Sequence, residues 1–425
     1  MVAADCIVQI DVTDFSRTAA LQLLDAAWFP SAMSMSKGNG AGFGRILVPE
    51  VAKPGRIVEK QVPGENDMSE SSEAPAVFAK FLNDEILGEM GRLLFSLLNV
   101  FVASGYHIRL ADNLPPAKLD KYGQMACSLQ GVSLTDAVPS ETSGMIYLFD
   151  EEDRKLGARA WRKKIQVRFD VFSPYWFTRP MLMPYPVHPV HTGSDLQDRL
   201  QKYRASERKM RVFFSGDREG YIRNRIRYPK PKLARLDVIN AILQGMGERV
   251  LPVQGEADLD SACSGGYVDK CLIMDQSQSR IHETRWLQTL ATSDFFLCPP
   301  GFVMPMCHNT VEAMAVGAIP IINYPEWFDP HLEHRKNCIA FEDKVDLLDK
   351  LNEVLQMDAN EIARMRRQVV DYYDNRLAPE SFVRRIESSE KDKVVVLMIT
   401  DANVTKHASR LNARSVLMRG TAATR

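Results

Sequence analysis

A chain of 425 residues, 45% hydrophobic and 25% charged, has the make-up of a soluble globular protein, and its length implies two domains with room for a tail. A formal net charge of -1 leaves no footprint for nucleic acid. Seven cysteines, at 6, 127, 263, 271, 298, 307 and 338, show no C-x-x-C spacing, which argues against a zinc ribbon or a disulfide framework and fits reduced thiols. The opening MVAADCIVQIDVTDF lacks a basic n-region, and no stretch reaches the roughly 18 apolar residues of a membrane span. A cytoplasmic chain is therefore expected, with peripheral membrane contact left open.

In chain order, Cys6–Val12 reads as a strand. Ser34–Gly44 (SMSKGNGAGFG) is Gly-rich and precedes a strand at Arg45–Pro49, but it lacks the Lys-Ser/Thr ending of a phosphate loop and reads as a surface loop. Pro63–Pro75 is polar and acidic, a connection. Val77–Val102 carries helical periodicity, with Leu93–Ala103 a buried stretch, and after Gly105 a strand is expected at Tyr106–Leu110. Gly144–Asp150 and Lys164–Phe172 are two further strands. Ser173–Thr192 is too rich in proline for a long helix. A polar helix, Ser194–Arg208, contains the boundary.

The α/β alternation then restarts. Met210–Phe214 is a strand, followed by a turn and the basic run Arg218–Lys232. Helices are expected at Leu233–Met246, with Leu236, Ile239, Ile242 and Leu243 facing a sheet, and at Glu283–Thr292, Lys344–Met357 and Ala359–Leu377. Cys271–Asp275 is a short strand. Lys393–Thr400 is apolar enough for another. The fold class is α/β, two Rossmann-like domains facing a cleft. Residues 1–205 form the first domain and 206–385 the second. Residues 386–425 form a tail that either packs back on the first domain or is partly disordered.

The most informative stretch is Ser293–Ile322. Asp294–Leu297 reads as a buried strand, broken by Cys298-Pro299-Pro300-Gly301. Asn309 or Thr310 is positioned to cap a helix containing Val311, Met314 and Ala315, with Glu312 off its apolar face. Gly317 ends the helix and Ala318–Ile322 is the next strand. Such a strand–loop–helix–strand unit belongs to a parallel sheet, which binds ligands at the carboxyl ends of its strands. Glu312 at that edge is a candidate acceptor for the hydroxyls of a ribose or sugar. Free N–H groups at the helix start suit phosphate.

These residues resemble the donor-binding segment of GT-B glycosyltransferases, closest to the exostosin-like group. That pattern runs S-x-F-x-L-x-P-x-G, then E-A, three residues and G-x-I-P-V-I. Ser293, Phe295, Leu297, Pro299, Gly301, Glu312, Ala313, Gly317, Ile319, Pro320 and Ile322 fall on it, with Ile321 in place of Val. Gly220, Ile222 and Arg223 match an upstream G-x-I-R element. The resemblance covers about residues 210–345. It departs at Asn309, where Arg is common, and at Met304, where retaining enzymes carry a second Glu.

The resemblance implies a nucleotide-sugar-dependent transferase that works without a metal or other cofactor, on a glycan or glycolipid acceptor in polysaccharide or glycoconjugate synthesis. Arg218 and Arg223 would hold the diphosphate, as guanidinium forks do well. Gly301, His308 and Asn309 would shape the phosphate site, and Glu312 would bind ribose or sugar. The base on the acceptor side is not in a motif. Asp112, after a strand end, and His188, in the Pro-rich segment, are the candidates. His331 and His334 lack a third ligand for a metal site. Two alternatives stay open: a non-catalytic nucleotide- or sugar-binding scaffold, and a Rossmann-type oxidoreductase. The second would need a G-x-G-x-x-G, of which Gly38-Asn39-Gly40 gives only part.

Overall fold

The computed structural model describes residues 74–172, 175, 180–217, 232–301, 303–407 and 415–418. The expected strands Cys6–Val12 and Arg45–Pro49, the Gly-rich loop, and Arg218 and Arg223 lie outside the described residues. The strands are β1 Ala76–Lys80, β2 His107–Ala111, β3 Val132–Thr135, β4 Ile146–Phe149, β5 Lys163–Arg168, β6 Met181–Leu182, β7 Met210–Gly216, β8 Val250–Val253, β9 Tyr267–Asp275, β10 Ser293–Cys298, β11 Ile319–Ile322, β12 Ile339–Ala340 and β13 Lys393–Leu397. The helices are α1 Arg92–Ala103, α2 Lys121–Cys127, α3 Leu196–Arg204, α4 Arg235–Gly245, α5 Glu256–Ser264, α6 Glu283–Leu290, α7 His308–Ala315, α8 Lys344–Leu355, α9 Ala359–Tyr372, α10 Pro379–Glu387 and α11 Asp401–His407, with single turns left unlabelled.

The described residues form two sheets, and every pairing in them is parallel. The first has the order β3-β2-β1-β4-β5-β13-β6 and the second β12-β11-β10-β7-β9-β8. The protein is thus an α/β chain of two Rossmann-like sheets, as expected. Parallel sheets are covered on both faces, which favours buried inner strands. β4 and β10 are buried at every residue. β13 enters the first sheet between β5 and β6 after the chain has completed the second. Phe382, Val383 and Ile386 of α10 pack into the first sheet's core with it.

One expectation fails at the start of the described chain. Val77–Lys80 is not helical; it is the central strand β1, and the helix begins only at Arg92. Val77, Phe78 and Ala79 are each at most 1% exposed, and a continuous buried run has no period to separate strand from helix. In α4 the buried positions are Arg235, Val238, Ile239, Ala241 and Ile242, whereas Leu236 is half-buried and Leu243 exposed.

Each sheet reverses its winding once: between β1 and β4 in the first and between β7 and β10 in the second. In the first, the crevice is occupied from within. Asp150, just past β4, accepts the Leu82 and Asn83 N–H groups at 2.8 and 2.7 Å. The chain then passes through three consecutive left-handed residues, Glu89, Met90 and Gly91, into α1. Gly91 is required there: a Cβ would lie 2.2 Å from the Gly123 nitrogen at the contact of α1 with α2.

Candidate functional site

In the second sheet the crevice at the carboxyl ends of β7 and β10 is where an open parallel sheet receives its ligand. β10 ends at Cys298, and the loop Pro299–Cys307 leads into α7. Gly301 lets this loop fold back on itself: its N–H meets the Pro305 carbonyl at 3.2 Å, and a Cβ would sit 2.4 Å from the Met304 oxygen. Beside it, Gln276 after β9 donates to Ser215 Oγ of β7 at 3.0 Å. Asn323 follows β11, and its carbonyl accepts from Lys232 Nζ at 2.5 Å. Lys232 is also paired with Glu326 at 2.7 Å, so its charge is spent inside the protein.

Asn309 and Asn323 at this edge hold buried polar atoms without partners among the described residues. In Asn309, in the first turn of α7, the atom is Oδ1. In Asn323, 2% exposed, Oδ1 and Nδ2 are both unbonded. Buried polar groups are nearly always paired, so these atoms carry hydrogen-bonding capacity that the protein itself leaves unused. Asn323 was missed in the sequence. Its only signal is a lone polar residue closing the apolar run AIPII.

The start of α7 differs from expectation. The helix begins at His308 after an extended Cys307, and neither Asn309 nor Thr310 caps it. Thr310 points inward to Tyr324 Oη at 3.1 Å. Gly317 does take the left-handed conformation after the helix, with φ 79°.

Glu312 was expected off the apolar face, at the ligand-binding edge of the sheet. It is 0% exposed, because α7 is buried around its whole circumference from Thr310 to Ala315. One carboxylate oxygen accepts the His188 N–H at 2.8 Å and the other accepts Trp286 Nε1–H at 2.5 Å. Burial raises its pKa to about 7, although the two donors and Arg92 pull it back. Both oxygens are engaged by the protein, and Glu312 ties α6 to the segment that crosses between the sheets.

His188 lies in that crossing segment, 8% exposed. Its Nδ1 accepts the Val190 N–H at 3.3 Å, and its Nε2 meets Tyr122 Oη of α2 at 3.1 Å. The His188 and His308 rings lie 5.0 Å apart, and His191 Nε2 is 4.0 Å from Glu312. Arg92 sits over the Tyr122 ring at 5.3 Å. Burial, followed by the charge of Arg92, lowers His188 to about 3. Burial and Arg199 lower His191 to about 4, and burial carries His308 well below the usual range. The imidazoles are therefore neutral at neutral pH, and His188 in this state is a weak proton acceptor.

The structure thus brings together His188, His308 and Glu312, with Asn309 and Gly301 on the same loop and helix. It does not bring Asp112 to them. Asp112 is exposed at the end of β2, with its N–H on the Thr135 carbonyl at 2.8 Å. His331 and His334 are occupied with backbone groups, the Leu417 carbonyl and the Ala340 N–H. Among the described residues no cluster of three or more His, Cys, Asp and Glu is placed to hold a metal, and no helix is long and apolar enough to cross a membrane.

No family model and no curated protein matches the chain. Solved structures with a similar course of chain include the Candida albicans trehalose-6-phosphate phosphatase N-terminal domain, at 9% identity and TM-score 0.38, covering 77% of this chain and 99% of that one. Anabaena HepE in complex with UDP is similar at 12% identity and TM-score 0.38, covering 73% and 98%. Thermobaculum terrenum O-GlcNAc transferase is similar at 14% identity and TM-score 0.35, covering 83% and 69%. Likeness at these levels does not extend to activity.

Proposed function

We propose that the chain is a glycosyltransferase of the GT-B type that moves a sugar from a nucleotide-sugar donor to an acceptor hydroxyl, with the donor at the carboxyl ends of β7 and β10. The observation that carries this reading is the orphaned Asn309 Oδ1 and the orphaned buried amide of Asn323, at the winding reversal of the second sheet. Both can bond ribose or sugar hydroxyls. The acceptor hydroxyl attacks the anomeric carbon as the bond to the diphosphate oxygen breaks. The leaving diphosphate gains charge, which Arg218, Arg223 and the N–H groups opening α7 would stabilise. The proton of the hydroxyl passes to a base on the acceptor side, a role for which buried, neutral His188 is poorly suited. Glu312 acts in this reading as a positioning residue that fixes the crossing segment against α7.

Calorimetric titration with UDP and GDP tests the donor site, and turnover of a nucleotide-sugar panel tests the chemistry. Arg218→Ala and Arg223→Ala should each weaken diphosphate binding about tenfold or more, the loss of a charge-assisted contact of roughly 1.5–3 kcal/mol. Asn323→Ala should weaken it without lowering thermal stability. If neither nucleoside diphosphate binds, the donor-site reading fails.

A further inference from the structure

A second cavity, of about 540 Å3, runs along the outward side of α1, between that helix, the crossing segment 184–197 and the start of α10. Among the described residues, none from the loops after β7, β9, β10 or β11 lines it. Its size falls within the range of about 300–1,000 Å3 usual for small-molecule sites. A smaller chamber of about 20 Å3 adjoins it, sharing the walls Ser96, Pro184 and Pro186.

The lining has a definite chemistry. Ser96 is 4% exposed and lines both chambers, and among the described residues its hydroxyl has no hydrogen-bond partner. A helical serine can turn back on the preceding carbonyl, as Ser104 does on Val100 at 2.8 Å. Asn99, one turn beyond Ser96, is half-buried and its amide is likewise unbonded. Across the cavity Gln197 and Glu380 face each other at 3.5 Å. Among the described residues no Lys, Arg or His lines the larger chamber, and the one charged side chain there is the carboxylate of Glu380, which disfavours phosphate or carboxylate. A pure hydrocarbon would leave Ser96 and Asn99 unsatisfied. What fits is a ligand with hydroxyls on its edge and apolar C–H faces, which Phe95 and Leu196 can cover.

We propose that this cavity is a binding site for a neutral sugar, separate from the β7–β10 crevice, with its hydroxyls on Ser96 and Asn99. It does not rest on the glycosyltransferase reading. Its walls come from both halves, since Val311 and Tyr373 line it alongside α1.

The test is saturation-transfer NMR on the full chain with millimolar maltose, lactose and N,N′-diacetylchitobiose, and with decanoate as the hydrocarbon probe. Transfer to the C–H protons of at least one disaccharide is expected. It should fall at least threefold in Ser96→Ala, which removes the hydroxyl without adding bulk, and independently in half-buried Asn99→Leu. Saturating UDP should leave it unchanged. The proposal is overturned if no disaccharide shows transfer, if decanoate alone does, if both variants retain the signal, or if UDP displaces the sugar.

Discussion

Trp286→Phe isolates the contact that holds α7 in place. The substitution keeps most of the ring packed against Phe296 but removes the indole N–H from Glu312. Losing a hydrogen bond to a buried charged group costs about 1.5–3 kcal/mol, and the smaller side chain adds roughly 1 kcal/mol of packing loss. The two parts separate by pH. Burial raises Glu312 from 4.5 to about 7, so the folded state holds an extra proton between those values. The stability that this proton confers is complete below about 4.5 and is lost as pH rises through 7. In the variant one donor that favours the ionised form is gone, so the folded pKa rises further and the loss continues to higher pH. The packing part is the same at every pH. Urea unfolding at pH 5 and pH 8.5 should therefore give a larger penalty at pH 8.5, by about 1–2 kcal/mol. In a Glu312→Gln background that difference should vanish. Equal penalties at both pH values in the parent would mean that the carboxylate is not held by the indole, and the positioning role of Glu312 would fall with it.

Gly91→Ala should cost more than about 3 kcal/mol, because it adds left-handed strain to a collision with the Gly123 backbone. Gly105→Ala has a similar positive φ but open space around it, so it should cost only about 1–2 kcal/mol; the two urea midpoints give the comparison. Asp150→Asn leaves one acceptor for two N–H groups at a residue 6% exposed, and should cost roughly 2–3 kcal/mol. Amide exchange at Leu82 and Asn83 should accelerate in that variant; unchanged protection would show that Asp150 does not hold the loop.

The strand–loop–helix–strand unit around Glu312 was legible because β10 and β11 are short apolar runs separated by proline and glycine, which punctuate a chain plainly. β1 was not, because a central parallel strand is apolar at every position and merges with the periodicity of the helix beyond it. The environment of Glu312 was also hidden. A glutamate on an amphipathic pattern predicts solvent, and only tertiary packing of α6 and the crossing segment encloses it. The partnership of His188 with Glu312 spans 124 positions of chain, and no local spacing carries it. Asn323 was invisible for a different reason. Its significance lies in bonds it does not make.

The place of β13 has a consequence for how the molecule can be made and divided. β6 pairs with β13 and, among the described residues, with no other strand, and β5 shows an open edge until β13 arrives. During synthesis that edge waits while every strand of the second sheet is produced, from residue 210 to residue 340. An unpaired parallel edge is a template for mispairing, so the nascent chain carries its greatest aggregation hazard in this interval. Dissection is correspondingly lopsided. A fragment carrying β7 to β12 contains its sheet entire. One that stops after β6 lacks an inner strand of its own and must borrow it, so a separately supplied peptide containing 393–397 becomes its natural complement.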